Sequence, residues 1–150
     1  MTEQKKSIVI GCDHAAFSLK ERIKAHLADQ AGVAVEDVGT FDESSVDYPD
    51  FGIKVAEAVS EGRFDRGILI CGTGIGMSMV ANRFPHVRAA LCNDLFSAKM
   101  SKLHNNANIL VLGGRVIGDI LALEIVSTWM ETDFEGGRHQ ARLEKFDKIC

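Results

Sequence analysis

Residues 66–78 read RGILICGTGIGMS, and the fold of the whole chain can be worked out from this stretch. A short apolar run ends in Cys71 and opens at once into a loop that contains three glycines. An apolar run of this length, bounded by turn residues, is typical of a strand that is buried on both faces of a sheet. The pattern therefore predicts a strand, a glycine loop and then a helix that begins near Ile75.

The same alternation of strand-like and helix-like segments continues along the chain. Apolar residues recur at helical spacing between the strand-like runs, as at Leu19, Ile23 and Leu27. Repeated β–α order predicts a parallel sheet with helices on both faces and right-handed crossovers. We therefore expect one domain, residues 1–150, with a Rossmann-like, three-layer α/β/α fold and a five-stranded, mostly parallel sheet. The strand-like runs are 7–12, 33–39, 67–72, 87–92 and 108–114. The second run is the most mixed in polarity, which predicts an edge strand.

Charge and cysteine usage exclude several classes of protein. The net charge is −4 and no basic stripe offsets it, which argues against nucleic acid as a partner. The sequence contains no run of 18 apolar residues, so no membrane span is predicted. The N-terminal apolar run is too short for a signal peptide. The four cysteines lie far apart without a CxxC pair. This spacing favours a reduced, cytoplasmic setting over a disulfide framework.

Polar and reactive residues follow the predicted strands. In open α/β sheets, ligands bind beyond the carboxyl ends of the strands. Those ends read CDH (12–14), CGTGIG (71–76), CND (92–94) and GGR (113–115). Because the ends of parallel strands meet at one edge of the sheet, we expect this edge to hold the functional site.

The glycine loop is the first candidate for an anion site. Gly72, Gly74 and Gly76 allow positive φ angles and turn backbone N–H groups toward a bound anion. The dinucleotide fingerprint GxGxxG fails because Met77 occupies the place of its third glycine, and the lysine and hydroxyl of a P-loop are absent. A tight turn alone would also explain such a loop.

Cys71 strengthens the case for a site. A cysteine in a strand is usually a small buried apolar residue, and we assign Cys92 and Cys150 to that class. Cys71 differs because it stands at a strand end, beside oriented amides and a helix start, where a thiolate is favoured. A readily ionised thiol can act as a base or a nucleophile, and Thr73 stands two residues away to assist proton transfer.

Two further groups of polar residues each have a structural and a functional interpretation. Asp13, just before His14, either caps the following helix or belongs to the site. His104, between a helix and a strand, either donates to the last helix carbonyls or takes part in chemistry. Arg138 and Arg142 share one face of a helix that begins near residue 138. That face either points to solvent or clamps a phosphate.

The helix predicted over 119–132 is apolar on more than one face. A surface helix needs only one apolar stripe. The extra apolar residues indicate either deep burial in the chain or contact with a second subunit.

Taken together, these motifs resemble the family that contains type B ribose-5-phosphate isomerases and galactose-6-phosphate isomerase subunits. The matching segments are GCDHAAFSLK, DYPD, ILICGTGIGMSMVANR, LHNNANILVLGGRV and EGGRHQARL. They span residues 11–143 in the order of the family. The resemblance implies an aldose–ketose isomerase of the pentose phosphate pathway, acting on D-ribose 5-phosphate and D-ribulose 5-phosphate without metal or cofactor. It also implies a homodimer or homotetramer with sites shared between subunits.

The resemblance also assigns roles to residues. Cys71 is the base that moves a proton between C1 and C2, with Thr73 assisting, and His104 opens the sugar ring near Asp13. One branch of the family uses a carboxylate instead of the cysteine. Here that position holds Ile75, so the cysteine branch is indicated. The remaining matches are substrate-binding residues: His14, Arg115, Arg138 and Arg142 for the phosphate, Asn105 and Tyr48 for the sugar, and Gly72, Gly74, Ile75 and Gly76 for the enediolate.

Three alternatives stay open at this point. The substrate could be a 6-phosphohexose such as allose or galactose 6-phosphate. A non-catalytic nucleotide- or phosphate-sensing module could use the same architecture, although a receiver-like phosphoacceptor would need an aspartate in place of Cys71. A thiol redox protein would use Cys12, Cys71 or Cys92.

Overall fold

The computed structural model describes residues 6–30 and 32–149. Within these residues, no helix is both long and apolar enough to cross a membrane. Strands and helices alternate along the chain, with a short 3₁₀ helix at His14–Ala16. The elements are β1 (Lys6–Cys12), α1 (Phe17–Ala28), β2 (Val33–Asp37), α2 (Tyr48–Ser60), β3 (Arg66–Cys71), α3 (Ile75–Ala81), β4 (Ala89–Leu91), α4 (Leu95–Leu103), β5 (Ile109–Gly113), α5 (Asp119–Glu131) and α6 (Arg138–Asp147).

The five strands form one parallel sheet in the order β2-β1-β3-β5-β4. Cys12 of β1 pairs with Ile70 of β3, and Cys71 pairs with Gly113 of β5. The carboxyl ends of these three central strands therefore meet at one edge. The predicted α/β fold is confirmed, and so is the edge position of the second strand.

The sheet separates two apolar clusters. Side chains alternate along each strand, so Ile68 and Ile70 pack toward α1, α4 and α5. Leu69 and Cys71 pack on the other face, toward α2 and α3. The side chain of Cys71 therefore lies on the same face of the sheet as α3.

Burial within the chain accounts for most of the apolar residues of α5. Ile125, Val126 and Trp129 are completely buried against the sheet. Ile120, in the first turn, is 75% exposed. Of the two interpretations of this helix, deep burial explains its inner residues, while Ile120 leaves an apolar position at the surface.

A buried lysine fixes the segment that leads from β2 to α2. Lys20 Nζ, completely buried, donates to both carboxylate oxygens of Asp37 at 2.7 Å and to the carbonyl oxygen of Thr40 at 2.5 Å. Lys24 Nζ donates to Asp37 at 2.9 Å. Burial alone would raise the pKa of Asp37, but the hydrogen bonds from the two lysines and from the Gly39 N–H outweigh it and lower that pKa. These bonds tie α1 to the segment that ends at the start of α2.

Candidate active site

The carboxyl ends of β1, β3 and β5 are joined by backbone hydrogen bonds just beyond the sheet. The N–H of Asp13 donates to Ile70 O at 3.2 Å, and the N–H of Gly114 donates to Cys71 O at 2.8 Å. The N–H of Arg115 donates to Gly72 O at 2.9 Å. These bonds bring most of the predicted site residues together. We call the predicted site residues at this edge the strand-end group: Asp13, His14, Tyr48, Cys71, Gly72, Thr73, Gly74, Ile75, Gly76 and Arg115.

Cys71 has the contact that distinguishes it from a core residue. Its side chain is only 5% exposed and packs in the apolar cluster with Met77. Its sulfur nevertheless accepts a hydrogen bond from the N–H of Gly74 at 3.2 Å. Amide donors at the start of a helix are the surroundings in which thiolates are stabilised.

The loop after Cys71 requires glycine for two reasons. Gly74 has a φ of +80°, which L side chains rarely adopt, and a Cβ there would lie 2.5 Å from Leu91 Cδ1. The loop turns directly into α3, which begins at Ile75 as predicted. The N–H of Ile75 donates to Thr73 Oγ1 at 3.2 Å, so the threonine hydroxyl is held against the helix start.

Tyr48 and Arg115 border this loop on two sides. The ring of Tyr48, the first residue of α2, lies against Gly76, where a Cβ would be 2.6 Å from the ring. A Cβ on Gly72 would lie 3.6 Å from Arg115 Cδ and 3.7 Å from Nη1. A phenol and a guanidinium therefore flank the amides of the loop, which is a suitable arrangement for a polyhydroxylated anion.

Asp13 and His14 are held by local hydrogen bonds. Asp13 Oδ1 accepts from the N–H of Ala15 at 3.1 Å, which confirms the helix-cap interpretation and leaves its catalytic role a prediction. His14 Nδ1 accepts from the N–H of Val46 at 3.1 Å. Because Nδ1 is the acceptor, the neutral ring carries its proton on Nε2, the nitrogen left to donate to a ligand.

The other polar residues at the strand ends have structural roles. Asp94 caps α4, since its Oδ1 accepts from the N–H of Ser97 at 2.6 Å. Burial raises the pKa of the Cys12 thiol to about 12 and that of Cys92 to about 11. Both thiols therefore stay protonated near neutral pH, which argues against the redox alternative. Cys150 lies outside the described residues.

The other four predicted residues lie at the opposite edge of the sheet. His104 forms the C-terminal cap of α4, which runs back from the strand ends toward the strand starts. Asn105 follows, and β5 then begins at Ile109. With a rise of about 3.3 Å per residue, the five residues of β5 separate the two edges by roughly 13 Å. The edge predicted to hold the functional site therefore carries only part of the predicted residues within one chain.

Arg138 and Arg142 lie at this second edge because α6 packs there. The ring of His139, in the first turn of α6, stacks on the ring of His104 with centroids 4.2 Å apart and planes 14° from parallel. Near the other end of α6, Asp147 lies 3.5 Å from Arg88 Nη1. We call His104, Asn105, Arg138 and Arg142 the strand-start group. A cavity of about 400 Å³ opens beside Asn105.

A cluster of possible metal ligands lies next to this group. One donor atom from each of His104, Glu135 and His139 lies within 4.8 Å of the others. The two imidazole rings are stacked in nearly parallel planes, so their in-plane lone pairs lie in separate planes and do not converge on one ion. The geometry therefore indicates a stacked pair of rings and does not favour a metal site.

The sequence analysis missed His139 and Glu135. Both lie within EGGRHQARL, the segment from which only the two arginines were selected. The available signal was the position of His139 between Arg138 and Arg142, on a helix already assigned to the site. Its stacking partner, His104, is 35 residues earlier in the chain, and only the folded structure brings the two together.

Comparison with known proteins agrees with this architecture. A family model described as Ribose/Galactose Isomerase matches residues 8–146. The chain is 48% identical to ribose-5-phosphate isomerase B of Escherichia coli (strain K12) over 144 residues, which cover 96% of each chain. A solved structure of the Clostridium thermocellum ribose-5-phosphate isomerase B has a TM-score of 0.92 and 53% identity, covering 95% of this chain and 96% of that one. The Mycoplasma genitalium enzyme, solved with bound ribulose 5-phosphate, has a TM-score of 0.93 and 38% identity, covering 98% and 97%.

Proposed function

The chain belongs to the ribose/galactose isomerase family, and we propose that it interconverts D-ribose 5-phosphate and D-ribulose 5-phosphate by ring opening and enediol proton transfer. The relatives named ribose-5-phosphate isomerase B support the substrate, because the match extends over nearly the whole of both chains. The observation that carries the mechanism is the Cys71 sulfur, which receives the Gly74 N–H at the end of a central strand. The reaction belongs to the pentose phosphate pathway, and we place it in the cytoplasm.

Ring opening comes first in the proposed mechanism. The bond between C1 and the ring oxygen O4 breaks as His104 donates a proton to O4. Asp13 accepts the proton of the O1 hydroxyl while the C1 carbonyl forms. General acid–base assistance of this kind typically contributes about 10²–10⁴-fold to a rate.

Isomerisation follows on the open-chain aldose. The Cys71 thiolate removes the proton from C2, and negative charge develops on O1. The amides of Gly72–Gly76 stabilise that oxyanion, a contribution of about 2.7–4 kcal/mol for one donor in other enzymes. Cys71 then returns the proton to C1 while the O2 proton moves to O1, a transfer that Thr73 assists. The product is the ketose, and the thiolate is regenerated.

The phosphate and the sugar hydroxyls are held from both edges. His14 donates from Nε2 and Arg115 from its guanidinium on the strand-end side. Arg138 and Arg142 supply two further guanidinium groups, which suit the geometry of a phosphate. Tyr48 and Asn105 bind the sugar hydroxyls. Binding energy from the phosphate can then hold the open-chain sugar at Cys71.

Because the two groups lie at opposite edges of one chain, we propose that each site is built from two chains. The strand-start group of one protomer faces the strand-end group of its partner, in a homodimer or a homotetramer assembled from such pairs. Ile75 and Met79, four residues apart on α3, are 50% and 66% exposed next to the strand ends. This apolar face is available for contact with the second chain.

Replacement of the thiol tests the proposed chemistry. The Cys71→Ala variant should keep its fold and lose about 10²–10⁴-fold in kcat for ribose 5-phosphate, because the thiol is the group proposed to remove the proton from C2. Cys92→Ala is the matched control, since it removes a buried thiol away from the loop. Substantial ketose formation by a folded Cys71→Ala protein would remove the thiol from its role. The kcat/KM values of the wild type on ribose, allose and galactose phosphates rank the pentose against the hexose substrates.

Replacement of one arginine tests the phosphate contact. A hydrogen bond to a charged group contributes about 1.5–3 kcal/mol, so Arg142→Ala should raise KM for ribose 5-phosphate by roughly tenfold or more. Lys145→Ala, on the same helix, is the control for loss of one positive charge. An unchanged KM in Arg142→Ala would mean that this arginine belongs to a solvated face.

A further inference from the structure

His139 is a buried histidine whose hydrogen bonding is incomplete. Its side chain is 4% exposed, and its Nε2 has no hydrogen-bond partner among the described residues. An unpartnered buried polar atom of this kind is destabilising, so its presence calls for an explanation. The ring of His139 instead stacks face to face on the ring of His104, with centroids 4.2 Å apart and an interplanar angle of 14°.

The backbone around His139 fixes this contact. The N–H of Glu135 donates to Leu103 O at 3.1 Å, which satisfies a carbonyl in the last turn of α4. Gly136 and Gly137, with φ of +73° and +59°, then turn the chain into α6. The first turn of α6 is thereby held against the last turn of α4, directly beside His104.

Electrostatics disfavour a positive charge on the ring of His139. Burial lowers the pKa of His139, and the neighbouring His104 and Arg138 lower it further, while Glu135 acts in the opposite direction. His139 is therefore neutral near neutral pH. The side chain of His104 is 40% exposed, and its Nε2 lies 4.0 Å from Glu135 Oε2.

We propose that His139 is a positioning residue, whose ring face holds the imidazole plane of His104 for the opening of the sugar ring, while Glu135 orients the Nε2 edge of His104. This inference rests on the proposed function. It gives roles in ring opening to His139 and Glu135, which have no role in the mechanism described above. An imidazole on one side chain can rotate about two bonds, so a flat neighbour removes the rotation that would misdirect its proton. Misplacement of a catalytic group by about 1 Å can cost 10²-fold in rate.

The two directions of the reaction separate positioning from folding. Ribose 5-phosphate is a cyclic hemiacetal that must open before C2 can lose its proton. Ribulose 5-phosphate is acyclic, because the oxygen that would close its five-membered ring carries the phosphate. Exchange of its C1 hydrogen with solvent deuterium therefore needs Cys71 but does not need ring opening. A defect confined to His104 slows the first reaction and spares the second.

The experiment uses His139→Ala, His139→Phe and the control Gln140→Ala, an exposed neighbour on α6. His139→Ala should lower kcat for ribose 5-phosphate by about 10²-fold, since a misplaced acid affects the rate more than binding. Its rate of deuterium exchange into C1 of ribulose 5-phosphate, followed by NMR, should stay close to wild type. His139→Phe should restore most of the ribose 5-phosphate turnover, because a flat ring again covers His104.

Three results would each overturn a different part of this proposal. Equal loss of turnover and exchange in His139→Ala would show that His139 supports the fold or the phosphate site. If His139→Phe were as inactive as His139→Ala, the ring nitrogen and not the ring face would be the important feature. Failure of the wild-type protein to convert ribose 5-phosphate would contradict the proposed function itself.

Discussion

At the scale of single residues, three cysteines at the ends of strands have different environments. Burial raises the pKa of the Cys12 and Cys92 thiols, although Lys20 and the backbone of Thr40 partly offset it at Cys12 and Ser101 partly offsets it at Cys92. Cys71 is nearly as buried, but its sulfur faces the N–H of Gly74. The position of this donor, in the glycine loop at the start of α3, is what makes the Cys71 thiol a candidate base.

This difference predicts selective alkylation. Since the pKa values of Cys12 and Cys92 are raised to about 12 and 11, both thiols remain protonated until the solution approaches those values. Near neutral pH, iodoacetamide should therefore modify Cys71 before either of them. The measurement is peptide mass spectrometry on a Cys150→Ser protein, which removes the terminal thiol from the comparison. Equal labelling of Cys12 and Cys71 near neutral pH would contradict the assignment.

At the scale of secondary-structure elements, the segments that position the site are fixed by polar contacts. Lys20 and Asp37 tie α1 to the end of β2, and the chain continues from there to Val46, whose N–H orients His14. The bond between Glu135 and Leu103 ties the start of α6 to the end of α4 in a similar way. The packing of the helices on the sheet places the two groups of residues at its opposite edges. These polar contacts then fix the directions of the side chains.

Removal of one partner from the Lys20 cluster should be strongly destabilising. Asp37→Ala leaves the buried Lys20 ammonium without its carboxylate, and breaking a buried pair in this way costs about 3–5 kcal/mol. Urea unfolding at neutral pH measures the loss. Glu36→Ala, an exposed neighbour on the same strand, is the control and should change stability little.

The same pair predicts how stability changes with pH. The pKa of Asp37 is lower in the folded protein than in the unfolded chain, whose carboxyl titrates near its reference value of about 3.9. The stabilising contribution of Asp37 is therefore present above about pH 4–5 and is lost as the pH falls through the folded value. The stability gap between wild type and Asp37→Ala should narrow on acidification. A gap that stays constant into the acid range would contradict this account.

At the scale of the whole molecule, one chain carries two groups of proposed site residues on opposite edges of its sheet. The strand-end group holds the thiol and the glycine loop, and the strand-start group holds His104 and the two arginines. A symmetric pair of chains would bring unlike halves together twice, since a two-fold axis repeats every contact. Each proposed site would then need residues of both protomers.

Complementation between inactive variants tests this arrangement. Cys71→Ala and His104→Ala homodimers should each be inactive, because every site lacks one group. After subunit exchange, a mixed dimer has one site with both defects and one site with neither. With random exchange, half of the dimers are mixed and each has one intact site, so activity should return to about a quarter of wild type. A mixture that stays inactive after verified exchange would place both residues in one chain.

The amino-acid sequence by itself determined the order of strands and helices, the edge position of β2 and the start of α3 at Ile75. These features follow from short-range patterns: apolar runs, helical spacing, and the glycines and prolines that end elements. The sequence also identified Cys71 as different from Cys92, because a strand end before a glycine loop is visible in the chain itself.

Only the tertiary structure decided which of those residues meet. The sequence does not show that His104 lies across the sheet from Cys71, because that depends on α4 running antiparallel to the strands over its full length. It does not show the stack of His104 on His139 either, because those residues are joined only after α6 packs against the end of α4. Local patterns specify elements through contacts between near neighbours. Side-chain partners in a site depend on the packing of distant elements, which the whole folded chain sets.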